Sequence, residues 1–260
     1  LDVLQVPGMA SSLQLTLQHS VATLTLNAPE RHNALTQADL EALEIQLDAL
    51  ATDERVRVLV LTGAGDKTFC AGASLGDVRQ GLQDGNPFQD RVGKLENFPK
   101  PTICSLNGSV YGGGVELALA CDFRIGITGT KMFVPPAKLG LCYPYVGLQR
   151  FVSRLGLSIT KRLLLANETF SAEDAKTLGF LDYLVAPDQR EAQTLALAHK
   201  LAELAPLSLQ AMKLTLNEMV CGNGDQSMAR QRELRCLQSE DLAEGLRAQQ
   251  EKRAPVFHGK

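Results

Sequence analysis

The chain has 260 residues, enough for one substantial core with a small appended subdomain, and its composition, 45% hydrophobic and 21% charged, is that of an ordinary globular protein. A net charge of −3 gives no support to nucleic acid as the main partner. No apolar run reaches the roughly 20 residues that a membrane span needs, and the first residues lack the basic-then-apolar pattern of a signal peptide, so the expected setting is soluble and cytoplasmic.

Six cysteines, Cys70, Cys104, Cys121, Cys142, Cys221 and Cys236, are scattered with no Cys-x-x-Cys pair and read as reduced thiols, with no metal site expected. Residues 1–8 precede Met9, the first plausible initiator, and are set aside from the fold reading.

Leu13, Leu15 and Leu17, then Val21, Leu24 and Leu26, alternate with polar residues around His19-Ser20 and predict a hairpin with one buried face. Thr36 with Asp39 three residues on is a helix-start pattern, and Leu40, Leu43, Leu47 and Leu50 carry helical spacing to about Ala51. The β-branched run from Arg57 to Leu61 predicts a buried strand that ends at Thr62-Gly63-Ala64-Gly65. That turn has neither phosphate-loop spacing, G-x-x-x-x-G-K-[ST] or G-x-G-x-x-G. The small apolar segment from Phe69 to Leu75 follows, where Ala73 could turn a backbone N–H toward a ligand or simply belong to a packed turn. Asp77 to Gln89 is polar, with Gly81, Gly85 and Pro87, and predicts a surface loop able to cover a site.

Pro101 opens a short strand over Thr102 to Leu106, Asn107-Gly108 turns the chain, and Gly112-Gly113-Gly114 leads into a helix-forming run, Val115 to Ala120, with one acid at Glu116. Strand, glycine turn and helix in that order gather unpaired N–H groups at one point, where an anion can be held. A side chain at Gly113 would block that approach; the alternative is that the three glycines merely allow close helix–strand packing. Phe123 to Ile127 predicts another strand. Residues 133–147, with three prolines, are expected to be irregular. From Leu148 the chain is mainly helical: Ser171 with Asp174 starts a short helix, Phe180 to Val185 gives a last strand, and helices follow over 189–204, 207–220 and 226–237. A final helix is capped by Ser239. The class is α/β with helices accumulating at the C-terminal end.

Asn33-Ala34-Leu35, Phe69-Cys-Ala-Gly-Ala73, Asn107-Gly108, Gly112-Gly113-Gly114-x-Glu116-Leu117-Ala118, Cys121-Asp122, Leu139-Gly140, Ser171-Ala172-x-x-Ala175 and Glu251-Lys252-Arg253, in this order, resemble the crotonase (enoyl-CoA hydratase/isomerase) superfamily from about Leu13 onward. The resemblance implies a core of repeated ββα units over 9–200 and a helical oligomerisation region over 201–260 that assembles trimers or dimers of trimers. It also implies an acyl-CoA thioester, with coenzyme A as part of the substrate and no permanently bound cofactor. The thioester oxygen would sit in an oxyanion hole between the N–H groups of Ala73 and Gly113, where an enolate is stabilised. Ala71, Gly72, Ser74, Leu75 and Pro135 would line the substrate, and Lys252 would reach a CoA phosphate.

One departure is informative. Hydratases of this superfamily resemble one another in carrying two glutamates, the first at Glu116; twenty residues on, at the place of the second, stands Pro136, which is neither acid nor base. Gly108-Ser-Val, Pro135, Tyr143, Val146-Gly147 and the ending around Ser239 to Arg253 are similar to methylmalonyl-CoA decarboxylase-like members. There a tyrosine at the place of Tyr143 lies at the acyl end of the pocket, although the histidine of that group is replaced by Ala73. The expectation is therefore a lyase using Glu116 and Tyr143 on a short malonyl-type acyl-CoA by decarboxylation, followed by hydration of an enoyl-CoA through Glu116, and last a non-catalytic CoA-binding or interaction protein. A Clp-type serine peptidase, whose fold is similar, is disfavoured. No G-x-S-x-G occurs, and His19, His32, His199 and His258 stand in predicted turns, a helix and the tail.

Overall fold

The computed structural model describes residues 2–4, 11–74 and 86–260. Nine α-helices and eleven strands are found among them. The strands are β1 (Asp2–Leu4), β2 (Leu13–Gln18), β3 (Val21–Leu26), β4 (Val58–Gly63), β5 (Thr68–Cys70), β6 (Thr102–Ser105), β7 (Ser109–Tyr111), β8 (Phe123–Ile127), β9 (Lys131–Phe133), β10 (Phe170–Ser171) and β11 (Tyr183–Val185). The predicted hairpin is β2 and β3 in register, closed by His19 and Ser20 at φ of 45° and 64°, the left-handed pair that a two-residue hairpin turn requires.

The strands form two sheets, one of seven in the order β1-β2-β3-β4-β6-β8-β11 and one of four in the order β10-β9-β7-β5. Three consecutive strands of the large sheet are each followed within a few residues by a strand of the small one: β4 then β5, β6 then β7, β8 then β9. This repeated unit makes both sheets largely parallel. Parallel strands covered on both faces read as continuous apolar runs, as β4 does. Its Leu59 and Leu61 enter the main core between the sheets, and Val58 and Val60 face the opposite side. There they meet Leu197, Ala198 and Leu201 of a helix laid across the large sheet.

Helix α1 (Gln37–Thr52) begins with the predicted capping box, Thr36 and Asp39 exchanging side-chain and backbone hydrogen bonds. Helix α2 (Pro87–Glu96) corrects the reading of 77–89 as one surface loop: residues 75–85, with Leu75, lie outside the described residues, but Phe88 and Gln89 are buried in the first turn of this helix. Phe88, Val92 and Leu95 recur at helical spacing and dock it on the core, which overrides its polar lead-in. Helix α3 (Gly113–Leu119) starts two residues before the predicted run.

Helix α4 (Tyr145–Leu164) likewise begins inside the segment expected to be irregular, since Pro144 sits at its N-cap and so does not interrupt it. Helix α5 (Ala172–Thr177) has the predicted Ser171–Asp174 capping box. Helix α6 (Arg190–Ala202) covers the large sheet, and α7 (Pro206–Cys221), α8 (Gln226–Leu237) and α9 (Glu240–Glu251) close the chain. No helix among the described residues is long and apolar enough to cross a membrane. The six thiols are free, Cys70, Cys104 and Cys121 being buried.

Candidate active site

The glycine turn and the 71–74 segment meet back to back. Tyr111 ends β7, Gly112 turns at φ 52° with its N–H on the Phe133 carbonyl (3.0 Å), and Gly113 opens α3. Opposite, Leu35 donates its N–H to the Gly72 carbonyl (2.8 Å) and accepts one from Ser74 (2.8 Å). That parallel bridge turns the N–H of the intervening Ala73 away from Leu35. Gly72 adopts φ 91°, and a Cβ there would stand 2.6 Å from the nitrogen and 2.8 Å from the Cα of Gly113, so only glycine permits this approach. Among the described residues, neither the Ala73 nor the Gly113 N–H has an acceptor. Ala71 is fixed by its N–H on the His32 carbonyl (3.0 Å), and Phe88 walls the turn, its Cζ standing 2.8 Å from where a Gly113 Cβ would be.

Glu116 lies one helical turn into α3 and has no exposed surface. Its carboxylate is held from several sides. Gln89 of α2 donates Nε2 to Oε2 (2.9 Å), Arg150 of α4 pairs with Oε1, and the Tyr143 hydroxyl donates toward the carboxylate. Burial pushes the Glu116 carboxyl above the ordinary glutamate range, while Arg150, Gln89 and Tyr143 pull it back toward the charged form. The Tyr143 hydroxyl is pushed well above the ordinary phenol range, first by burial and then by the facing Glu116 charge. Its ring stands edge-on to Phe151, with centroids 5.4 Å apart and planes at 87°. Between Tyr143 and Glu116 runs the backbone of Gly147, where a Cβ would come within 2.8 Å of the Tyr143 ring and 2.9 Å of Glu116 Oε1.

Arg150 is itself buried and spans two acids, with Nε and Nη2 at 3.1 and 2.9 Å from Glu96 Oε2 and Nη1 on Glu116. Glu96 is supported in turn by Arg154 (3.6 Å), and its backbone carbonyl accepts from Asn217 of α7 (2.9 Å). Removing one partner of such a buried set typically costs about 3–5 kcal/mol, because it strands the others.

Of the sequence-predicted residues, the structure therefore gathers Ala71, Gly72, Ala73, Ser74, Gly113, Glu116 and Tyr143 around one region. Pro135 follows β9, whose Phe133 is bonded to Gly112 beside the glycine turn. Pro136 is buried as the cap of a short 3₁₀ turn and brings no acid there. Lys252 is exposed at the left-handed cap ending α9, and no hydrogen bond or ion pair among the described residues links its side chain to Glu116. His32 Nδ1 is engaged with Thr68 Oγ1 (2.9 Å), and His19 stacks edge-on with His199, so neither serves a serine nucleophile.

Sequence reasoning missed Phe88, Gln89, Glu96 and Arg150. A signal existed: Gln89 and Glu96 flank the apolar stripe of α2, and Arg150 shares a face with Gly147, Phe151 and Leu155, a charge where the spacing demands a core residue. No group of acids, histidines and cysteines among the described residues has the arrangement of a metal site.

Comparison with known proteins agrees with this architecture. The sequence pattern of the enoyl-CoA hydratase/isomerase family matches residues 16–260. The 2,3-dehydroadipyl-CoA hydratase of Escherichia coli is 34% identical over 257 residues, covering 96% of this chain and 100% of that protein. The (E)-benzylidenesuccinyl-CoA hydratase of Thauera aromatica is 34% identical over 260 residues, covering 94% and 98%. Among solved structures, an enoyl-CoA hydratase/carnithine racemase from Magnetospirillum magneticum has a TM-score of 0.90 at 28% identity over 96% of each chain. Enoyl-CoA hydratase from Bacillus anthracis has a TM-score of 0.87 at 29% identity, over 96% of this chain and 100% of that one. The two-sheet ββα core with its helical C-terminal region is thus that of a crotonase-superfamily enzyme. The chain belongs to the enoyl-CoA hydratase/isomerase family.

Proposed function

We propose that this enzyme is an enoyl-CoA hydratase that adds water across the double bond of a 2-enoyl-CoA thioester. The observation that carries the reading is Glu116, a carboxylate clamped beside two backbone N–H groups that have no acceptor among the described residues. The thioester oxygen accepts from Ala73 and Gly113. Glu116 takes a proton from the attacking water as its oxygen bonds to the β-carbon, the electrons move onto the thioester oxygen as an enolate, and Glu116 returns the proton to the α-carbon. One residue acting as base and then acid balances the reaction without the second glutamate whose place Pro136 takes.

This reverses the order expected from sequence, which set decarboxylation first. That expectation gave the Tyr143 hydroxyl to a substrate carboxylate, but the hydroxyl is turned to Glu116, and a second anion placed there would face the Glu116 charge. The two relatives compared above are both named as hydratases. The test is to incubate the protein with a panel of 2-enoyl-CoA and malonyl-type CoA thioesters and read products by mass. Gain of one water on an enoyl-CoA is expected; release of CO₂ from a malonyl-type thioester with no hydration would restore the decarboxylase reading, and neither product would leave a CoA-binding role.

Two further outcomes follow from the same reading. Gly147→Ala pushes a methyl between the Tyr143 ring and Glu116 Oε1, so kcat is expected to fall about tenfold to a hundredfold, since displacements of this size at a reacting group cost that much. An unchanged kcat would mean that the Glu116 position is not critical. Lys252→Ala is expected to raise the CoA-thioester Kd at low salt and to leave kcat unchanged, as for an exposed cation meeting a phosphate; an unaltered Kd rejects that contact. For assembly we propose trimers or dimers of trimers through the C-terminal helices, supported by large apolar side chains that α7 to α9 leave exposed, Leu216, Met219, Leu237 and Leu246.

A further inference from the structure

Glu116 is not held by its own helix. Its two oxygens are taken from opposite sides by residues of different elements, Oε2 by Gln89 on α2 and Oε1 by Arg150 on α4. Those two holders also touch each other, Arg150 Nη1 lying 3.4 Å from Gln89 Oε1, so Glu116, Gln89 and Arg150 close a ring of three side chains. The remaining donors of Arg150 are anchored on Glu96 Oε2, which fixes the plane of the guanidinium. An arginine fork pinned behind by one carboxylate and presented forward to another can rotate very little. It therefore fixes where the lone pairs of the forward carboxylate point.

We propose that Arg150 is a positioning residue for the hydration reaction: anchored on Glu96, it holds the Glu116 carboxylate ionised in its buried site and aims it at the reacting water. The inference rests on the hydratase reading above and adds to it the residue that makes a fully buried base usable. Two acids share the one guanidinium, so the strength of the hold on Glu116 depends on how much of Arg150 is engaged by Glu96. Every group facing Glu116 enters this balance. Among the described residues they are Gln89 and Glu96 from α2, Tyr143 from the segment before α4, and Arg150 and, beyond Glu96, Arg154 from α4; β5 and β7, which also pack against α3, carry the Cys70 thiol, pushed up to about 12 by burial, and Tyr111. Arg150 is the cation among them that bonds Glu116.

The sign of each variant follows. Arg150→Gln removes the cation and is expected to move the acid limb of the kcat profile upward by about one to three pH units, the usual effect of an adjacent opposite charge on a carboxyl. Activity should be partly regained at alkaline pH, with KM little changed. Arg150→Lys keeps the charge without the fork, and should restore the limb while leaving kcat reduced at all pH values. Glu96→Gln releases Arg150 toward Glu116, and is expected to shift the limb downward. A residue that served packing alone would lower kcat at every pH without moving the limb, and that result in Arg150→Gln and Glu96→Gln together would overturn the proposal.

A carboxyl titration read by NMR on protein with ¹³C-labelled glutamate, the Glu116 signal being the one lost in Glu116→Gln, gives the same two shifts without any turnover. It separates failure of this inference from failure of the hydratase reading. It also decides the matter through Glu96→Gln should Arg150→Gln not fold.

Discussion

Glu116→Gln is expected to reduce hydration by about 10²–10⁴-fold in kcat, the usual worth of a positioned acid–base group, while the Kd for an enoyl-CoA stays near that of the parent. Glutamine keeps the size and one accepting oxygen, which Arg150 can still hold, with the Gln89 amide turned over to accept from the new NH2, but it cannot take a proton from water. Tyr143→Phe should cost far less, because on this reading the hydroxyl supports Glu116 and does not meet the substrate. The pH dependence has a definite sign. Burial raises the Glu116 carboxyl above the ordinary glutamate range, so kcat should fall as pH drops through that raised value, and the limb should vanish from the residual rate of Glu116→Gln.

The same raised value bears on stability. A carboxyl higher in the folded chain than in the unfolded one contributes stability below its unfolded value, and that contribution is lost as pH rises through the folded value. Glu116→Gln should therefore lower Tm at neutral pH less than Arg150→Gln does, because Arg150 still has Glu96 as a partner whereas loss of Arg150 strands both acids. A Tm fall as large as that from losing a core residue would mean the activity loss reports unfolding.

Gly113→Pro is expected to lower kcat by about 10²–10³-fold or more, with the fold retained. Gly113 is the first residue of α3, where a backbone N–H has no helical acceptor and where proline is well tolerated. The substitution removes one of the two donors proposed for the enolate oxygen and puts a ring carbon where the hydrogen was. The added Cβ meets the end of the Phe88 ring at 2.8 Å, a contact that Phe88→Leu relieves, so the pair of variants separates crowding from loss of the donor. If the double variant recovers most of the activity, the N–H of Gly113 is not a donor to the transition state. Circular dichroism and Tm on both variants establish that the ββα core is intact.

Much of the frame was legible in the sequence because it is written in short-range terms. The alternation of Leu13 to Leu26 with the His19-Ser20 turn, the Thr36–Asp39 and Ser171–Asp174 capping boxes, and the apolar run of β4 each depend on neighbours a few residues apart. So does the glycine turn before Glu116, whose chemistry of small residues and exposed N–H groups needs no partner to be recognised. What the chain order could not supply was which distant side chains face Glu116. Gln89 and Glu96 come from a helix whose lead-in resembles a polar loop, and Arg150 from a helix whose N-terminus is hidden among prolines.

The sequence by itself thus determined the strands of the large sheet from β2 onward, the caps, the glycine turn and the one acid beside it, since backbone propensity and local hydrogen bonding fix these, whereas the two- and three-residue strands of the small sheet are too short to carry a period. Only the tertiary structure decided that this acid is buried against an arginine shared with Glu96 and that Tyr143 is turned toward it. Pairing of buried charges depends on packing among α2, α3 and α4, elements separated by tens of residues, and no periodicity along the chain records it.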